Sequence, residues 1–279
     1  MEIIKTQLEL SNYITSVKKN GLTVGLIPTM GALHLGHLSL VEKAQLYCDL
    51  TIVSIFVNPT QFNNPDDLLK YPKPITNDIL MLENVGCNVL FLPDVNEMYH
   101  DDEPWDYKVG HIDRILEGEF RPGHYHGVTQ IVFKFFDLIK PDFAFFGQKD
   151  YQQFLVIQKM NEDLNLGIKL LACPIIREDD GLAMSSRNVR LSSSERKKAL
   201  VIYQSLLFLK DNYQNLSLAE LQEKGTAFYK NDADIKLEYF KICDPKTLAD
   251  LQIKEDHGAI ALVACFVGGI RLIDNMVLA

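Results

Sequence analysis

The chain has 279 residues, of which 47% are hydrophobic, 23% charged and 10% aromatic. That is the composition of an ordinary globular protein and excludes collagen-like, disordered and disulfide-scaffold classes. The 28 basic and 37 acidic side chains leave a formal net charge of −9, opposite in sign to proteins that grip long nucleic acid by neutralising phosphate.

At roughly 150 residues per domain, this length suggests two domains. Leu22 to Ile27 is a short apolar strand ending in Pro28, and Leu38, Val41, Ala44 and Leu46 recur at helical spacing from about Gly36 to Tyr47. Leu50 to Val57 is apolar and β-branched, as a strand covered on both faces should be. A helix from about Thr76 to Val85, stopped by Gly86, and a strand from Val89 to Leu92 follow. Val128 to Ile139 reads as helix, Asp142 to Phe146 as strand, Gln152 to Leu164 as helix and Ile168 to Cys173 as strand. This alternation predicts an α/β fold, a Rossmann-like parallel sheet with helices on both faces.

After Arg177 the rhythm changes. The polar segment EDDGLAMSSRN reads as a loop or hinge. Ser192-Ser193-Ser194-Glu195 supplies cap chemistry for a helix to about Lys210, and Ser217 with Glu220 forms a capping-box pattern. Strand patterns at Lys236 to Ile242, Ala259 to Val267 and Ile270 to Ile273, with a hairpin turn at Gly268-Gly269, predict a smaller α+β unit. The expected division is residues 1–182 and 183–279.

The start of the chain, MEIIKTQLEL, lacks the pattern of a signal peptide. The longest apolar stretch, Ala259 to Ile270, holds two glycines and is shorter than the roughly 20 residues of a membrane span. Five cysteines (Cys48, Cys87, Cys173, Cys243 and Cys265) form no C-x-x-C pair, and four lie in apolar segments. They read as buried free thiols in a reducing compartment, so a cytoplasmic protein without nucleic-acid or membrane partners is expected.

In an open parallel sheet, ligands bind beyond the carboxyl ends of the strands. There the first strand is followed by PTMGALHLGH, with His34 and His37 entering a helix between Gly31 and Gly36. Glycines let backbone N–H groups approach an anion, and a helix start offers unpaired donors and a positive dipole end. The same histidines, with His124 and His126, also allow a zinc reading, although no H-E-x-x-H motif occurs. Asn58 to Phe62 places the amide of Gln61 at the sheet mouth, able to donate and accept. Gly147-Gln148-Lys149-Asp150 puts a lysine where a phosphate could be held. Met184-Ser185-Ser186-Arg187-Asn188 combines hydroxyls and a guanidinium suited to phosphates. The G-x-S-x-G elbow, the G-x-x-x-x-G-K-[ST] phosphate loop and the G-x-G-x-x-G turn are absent.

Taken together, PTMGALHLGH at 28–37, VSIFVNPTQF at 53–62, RPGHYHGV at 121–128, GQKDYQQ at 147–153 and MSSRN at 184–188 resemble the pantothenate synthetase (pantoate–β-alanine ligase) family in order and spacing. RLIDN at 271–275 is similar to the family's closing strand. The family belongs to the H-x-G-H nucleotidyltransferase group, related in its Rossmann-type domain to class I aminoacyl-tRNA synthetases. The resemblance implies that ATP and pantoate form a pantoyl adenylate with loss of pyrophosphate, and that β-alanine then displaces AMP to give pantothenate. It implies that Met30, Gly31, Ala32, Leu33, His34, Leu35, Gly36 and His37 line the ATP site. His37 is then the proton-donor-type catalytic residue, with His34 and Lys149 beside it. Gly147, Gln148, Lys149, Asp150, Ile176, Met184, Ser185, Ser186 and Arg187 would also bind ATP, with Mg²⁺ on its phosphates. Gln61 would contact both pantoate and β-alanine, and Gln153 would hold pantoate. The family implies a cytoplasmic homodimer, and the need to keep water from an acyl adenylate gives the smaller C-terminal unit the role of a lid. Gln148 departs from the family, which usually has glutamate there, and His126 occupies a variable position. Another H-x-G-H nucleotidylyltransferase and a non-catalytic nucleotide-binding module remain the alternatives.

Overall fold

The computed structural model describes residues 1–100 and 104–278. It divides into two compact units. The first comprises Met1–Gln148 and Gln152–Pro174, and the second comprises Lys149–Tyr151 and the chain from Ile175 onward.

The first unit begins with β1 (Glu2–Ile4), α1 (Gln7–Lys19), β2 (Val24–Thr29), α2 (Leu35–Gln45) and β3 (Leu50–Ile55). It continues through α3 (Pro65–Leu69), α4 (Ile75–Asn84), β4 (Val89–Phe91), α5 (Val95–Met98), α6 (Glu117–Phe120) and α7 (His124–Ile139). It ends with β5 (Phe143–Gly147), α8 (Tyr151–Asp163) and β6 (Lys169–Cys173). The strands form one parallel sheet in the order β1-β4-β3-β2-β5-β6. Both faces are covered, and alternation along the strands sorts the side chains. Leu26, Ile52, Phe91 and Phe146 point into one core with residues of α1, α7 and α8. Ile27, Val53, Leu90 and Phe145 point into the other with residues of α2 and α4. A strand buried on two faces has no solvent side, which suits the mostly apolar β3; its two polar residues, Thr51 and Ser54, are buried as well. Chain direction across the sheet reverses between β2 and β5, the point where open sheets of this type bind ligands.

α1 carries a capping box: Glu9 N–H donates to Thr6 Oγ1 at 3.2 Å and Thr6 N–H to the Glu9 carboxylate at 3.3 Å. The sequence pattern predicts no element there. The buried face of α1 is narrow (Leu10, Ile14 and Val17), and β1 is too short to show a period.

In the second unit the segment read as a loop or hinge is instead a hairpin. Arg177 bridges Ala183, Met184 N–H donates to Ile176 C=O at 3.0 Å, and Glu178 N–H donates to Leu182 C=O at 2.8 Å. Its tip closes at Gly181, where a Cβ would lie 2.1 Å from the Tyr203 ring. The unit boundary therefore falls before this hairpin, at Pro174/Ile175, and not at 182/183. Then come α9 (Ser193–Lys198), α10 (Leu200–Asn212) and α11 (Leu218–Ala227), with the expected caps at Ser192 and Ser217. The helix expected to run to Lys210 is broken at Ala199. The antiparallel sheet is β7 (Ile235–Cys243), β8 (Ala259–Val267) and β9 (Ile270–Leu278), in that order. Val267 pairs with Ile270 across Gly268 and Gly269, both at positive φ, as a two-residue primed turn requires. One sheet face packs with α10 and α11 around Leu206, Leu221, Val263 and Leu272.

Candidate active site

The turn after β2 departs from ordinary backbone. Gly31 has φ +80° and Ala32 +49°, and a side chain at residue 31 would meet Ile55 at 2.9 Å. Two consecutive left-handed residues, one of them alanine, need an external tie. Asp78 of α4 supplies it: its carboxylate accepts the N–H groups of Ala32 and Leu33, each at 2.8 Å. Asp78 is 1% exposed. Burial pushes its carboxyl above the usual range, against the pull of the Leu33 and Ala32 N–H groups. Sequence reasoning missed Asp78. Only its occurrence as the acid in the buried stripe of α4 could have marked it.

His34 and His37 cap α2 reciprocally. Gly36 N–H donates to His34 Nδ1 at 3.1 Å, and His34 N–H donates to His37 Nδ1 at 3.3 Å. The ring centroids are 4.0 Å apart. Since each Nδ1 accepts, the proton of each neutral ring is assigned to Nε2. The cap thus uses one ring nitrogen of each histidine, and the other carries the N–H.

Gln61 lies in a 3₁₀ turn at Pro59–Gln61 after β3. Its amide is oriented by Asn58, itself 1% exposed. Asn58 Oδ1 accepts from Tyr99 Oη at 2.7 Å and Thr60 Oγ1 at 3.0 Å. Asn58 Nδ2 consequently donates to Gln61 Oε1 and to Gly127 C=O, both at 3.0 Å. With its oxygen engaged, Gln61 presents its NH₂, which points to Met30 Sδ at 2.9 Å. Gln61 is thus set as a donor beside the residue that opens the histidine turn. A cavity of about 360 Å³, a size suited to a small ligand, is lined by Met30, Gly31, Phe56, Val57, Lys73 and Asp78 among others; Gln61, His34 and His37 are not among its lining residues.

α7 presses directly on this turn. A Cβ at Gly127 would lie 2.5 Å from Thr60 O and 2.7 Å from Gln61 N. Arg121 Nη1 lies 3.1 Å from His124 Nε2 and must donate to it, so His124 Nδ1–H donates to Gln61 C=O at 2.8 Å. His126 contacts Trp105 C=O at 2.8 Å. His124 and His126 therefore serve backbone carbonyls, and among the described residues no group of three or more His, Cys, Asp or Glu is placed to hold a metal. Of the two glutamines opening α8, Gln152 is committed to structure, donating to Ile112 and Ile115 C=O and accepting from Glu117 N–H. Gln153 is half-buried beside it.

The remaining expected residues belong to two neighbourhoods. Gly147 ends β5 and Gln148 opens the 3₁₀ turn that follows, both in the first unit, whereas Lys149 and Asp150 of that turn belong to the second. There the hairpin sets Ile176 opposite Met184. The residues beyond it form a turn, with Arg187 N–H donating to Ser185 Oγ at 3.2 Å and Asn188 Nδ2 to Ala183 C=O at 3.1 Å. Ser185, Ser186 and Arg187 are half-buried on that turn.

The family model described as Pantoate-beta-alanine ligase matches residues 2–277. A pantothenate synthetase of Christiangramia forsetii is 45% identical over 100% of this chain and 99% of its own. One from Bacteroides thetaiotaomicron is 42% identical over 99% and 98%. Among solved structures, pantothenate synthetase from Thermus thermophilus superposes with a TM-score of 0.92 at 39% identity, covering 99% of each chain. The pantoate-β-alanine ligase of Francisella tularensis, complexed with beta-gamma ATP and β-alanine, gives 0.82 at 36% identity over 99% and 97%. The family model and these relatives match along nearly the full length: the chain belongs to the pantoate–β-alanine ligase family.

Proposed function

We propose that the protein condenses pantoate with β-alanine, consuming ATP and releasing AMP and pyrophosphate through a pantoyl adenylate. The observation that carries this reading is the tie, through Met30, between the histidine-capped start of α2 and the donor amide of Gln61. It sets a donor for an acid beside a helix start suited to phosphate.

In the first step a pantoate carboxylate oxygen bonds to the α-phosphorus of ATP, and the bond to pyrophosphate breaks. Two anions meet, so donors must take up the growing charge. His34 and His37 offer Nε2–H groups, and the start of α2 its unpaired N–H groups. Lys149, Ser185, Ser186 and Arg187 supply the further cations and hydroxyls, and Met30 to His37, Gly147 to Asp150 and Ile176 line the nucleotide. Gln61 and Gln153 orient pantoate. In the second step the amine of β-alanine bonds to the acyl carbon, AMP leaves and the amine loses its proton. An acyl adenylate is already activated, and the step needs mainly an aligned neutral amine, which Gln61 also serves.

Mg²⁺ on the ATP phosphates belongs to the same reading. That ion takes one or two carboxylates together with phosphate and water, and the exposed carboxylate of Asp150, next to Lys149, is of the right chemistry. When bound, Mg²⁺ neutralises phosphate charge. A cytoplasmic homodimer is part of the proposal on the strength of the motif resemblance.

Incubation with ATP, Mg²⁺, pantoate and β-alanine should give pantothenate, AMP and pyrophosphate in equal amounts. Lys149→Ala should slow turnover by about 10²–10³-fold. A dinucleotide product would identify a different nucleotidylyltransferase, and unchanged ATP a binding module.

A further inference from the structure

Lys149 follows the last residue of the first unit's β5 by only two positions, yet it clusters with the second unit. The cause lies in β9. Asn275 Nδ2 donates to the backbone carbonyl of Lys149 at 2.9 Å. The other end of the same short turn is held by Tyr151, whose Oη donates to Pro245 C=O at 2.9 Å. A three-residue segment is thus fastened at both ends, and the point from which the Lys149 side chain departs is set by a residue far away in sequence.

Asn275 is itself held. It is 1% exposed, and its neighbour Asp274 is 3% exposed. The Arg177 guanidinium grips Asp274 with its two terminal nitrogens, at 2.6 and 3.1 Å, and reaches Asn275 C=O at 3.3 Å. The same guanidinium donates to Gly181 C=O at 3.0 Å and lies 4.9 Å from the Tyr203 ring centroid. Asp274 Oδ1 accepts the Asn275 N–H at 2.8 Å. A buried carboxylate and a buried amide in adjacent strand positions are costly unless paired. Here the carboxylate is spent on Arg177, which also closes the hairpin bearing Ile176 and Met184, while the amide is spent on Lys149. The Lys149 charge acts on Asp274 as well.

From this geometry we infer that Asn275, braced by the Arg177–Asp274 pair, is a positioning residue for Lys149 in the adenylate-forming step. A donor is needed at 275 to satisfy the Lys149 carbonyl, and the Asn275 amide supplies it. The RLIDN motif thereby acquires a role beyond ending the sheet. The inference rests on the reading that Lys149 acts on the nucleotide.

The test is a double-mutant cycle in pantoate-dependent ATP–pyrophosphate exchange, using the full-length protein, with Asn275→Ala, Lys149→Ala and the double variant. A displacement near 1 Å at a reacting group costs up to about 10²-fold. Asn275→Ala should therefore slow exchange about 10–100-fold in the parental background, with pantoate affinity held. In the Lys149→Ala background the same change should cost less than about twofold, because coupled residues are not additive. Equal losses in both backgrounds, or no loss in the parent, would overturn the inference. Parental exchange in Lys149→Ala alone would instead sink the assignment of Lys149, and the inference with it. Tyr151→Phe, which removes the opposite fastening without emptying volume, gives the same cycle if Asn275→Ala does not fold. It should show a smaller loss that again vanishes without Lys149, and an additive loss would overturn the inference.

Discussion

Asp78 shows how a single buried carboxylate holds the turn on which the proposed chemistry depends. Its two oxygens take the N–H groups of Ala32 and Leu33, and so hold a turn whose dihedrals alanine alone disfavours. Asparagine at this position has one acceptor atom and turns an NH₂ toward a second N–H. Asp78→Asn should slow turnover by about 10–100-fold through misplacement of the His34–His37 turn. Loss of the buried hydrogen bond should lower unfolding free energy by only about 1–3 kcal/mol. Steady-state kinetics beside denaturant unfolding measures both, and near-parental turnover would contradict the role. His34 and His37 were legible in the sequence because their spacing at a strand-to-helix step has a chemical meaning. Asp78 was not, because its partners are backbone N–H groups that carry no signature.

Among the elements, α7 and the Pro59–Gln61 turn depend on one missing methyl group. Gly127 allows backbone to pass where a Cβ would press on Thr60 O and Gln61 N. Gly127→Ala must push these apart, at a cost of about 1–3 kcal/mol for overpacking, and with them the Asn58 contact that orients Gln61. Calorimetric titration should show pantoate binding weakened while ATP binding is held; equal affinity for pantoate in variant and parent would refute the coupling. The strong apolar runs of β3 and β8 announced their strands, since two-sided burial leaves no room for ambiguity. The end of β9 was hidden by Asp274 and Asn275, polar residues whose partners, Arg177 and Lys149, lie far off in sequence. The 176–184 hairpin was hidden likewise, because its polar strand positions are stabilised by backbone pairing and by Arg177 and not by an apolar pattern.

Considered as a whole molecule, the chain keeps its acid-sensitive contacts in identifiable places. Burial drives the Asp244 carboxyl upward, but the Thr247 N–H, the His257 ring, the Thr247 hydroxyl and the Lys246 N–H outweigh it and hold its pKa below the usual range. A depressed carboxylate adds stability above its unfolded pKa of about 3.9, and that stability is lost as pH falls from there toward the folded value. Unfolding free energy of Asp244→Asn should thus trail the parent at about pH 5, and the margin should shrink below about pH 4. A margin independent of pH would contradict it. The contacts divide the described residues into two compact units, and the capture of Lys149–Tyr151 by the second left no signal in the sequence. The central claim, that the acid is activated before the amine enters, is tested most directly by pyrophosphate exchange. With Mg²⁺, ATP and pantoate but no β-alanine, labelled pyrophosphate should appear in ATP, and omission of pantoate should abolish it. Exchange that begins only when β-alanine is added would contradict the adenylate, even with pantothenate as the final product.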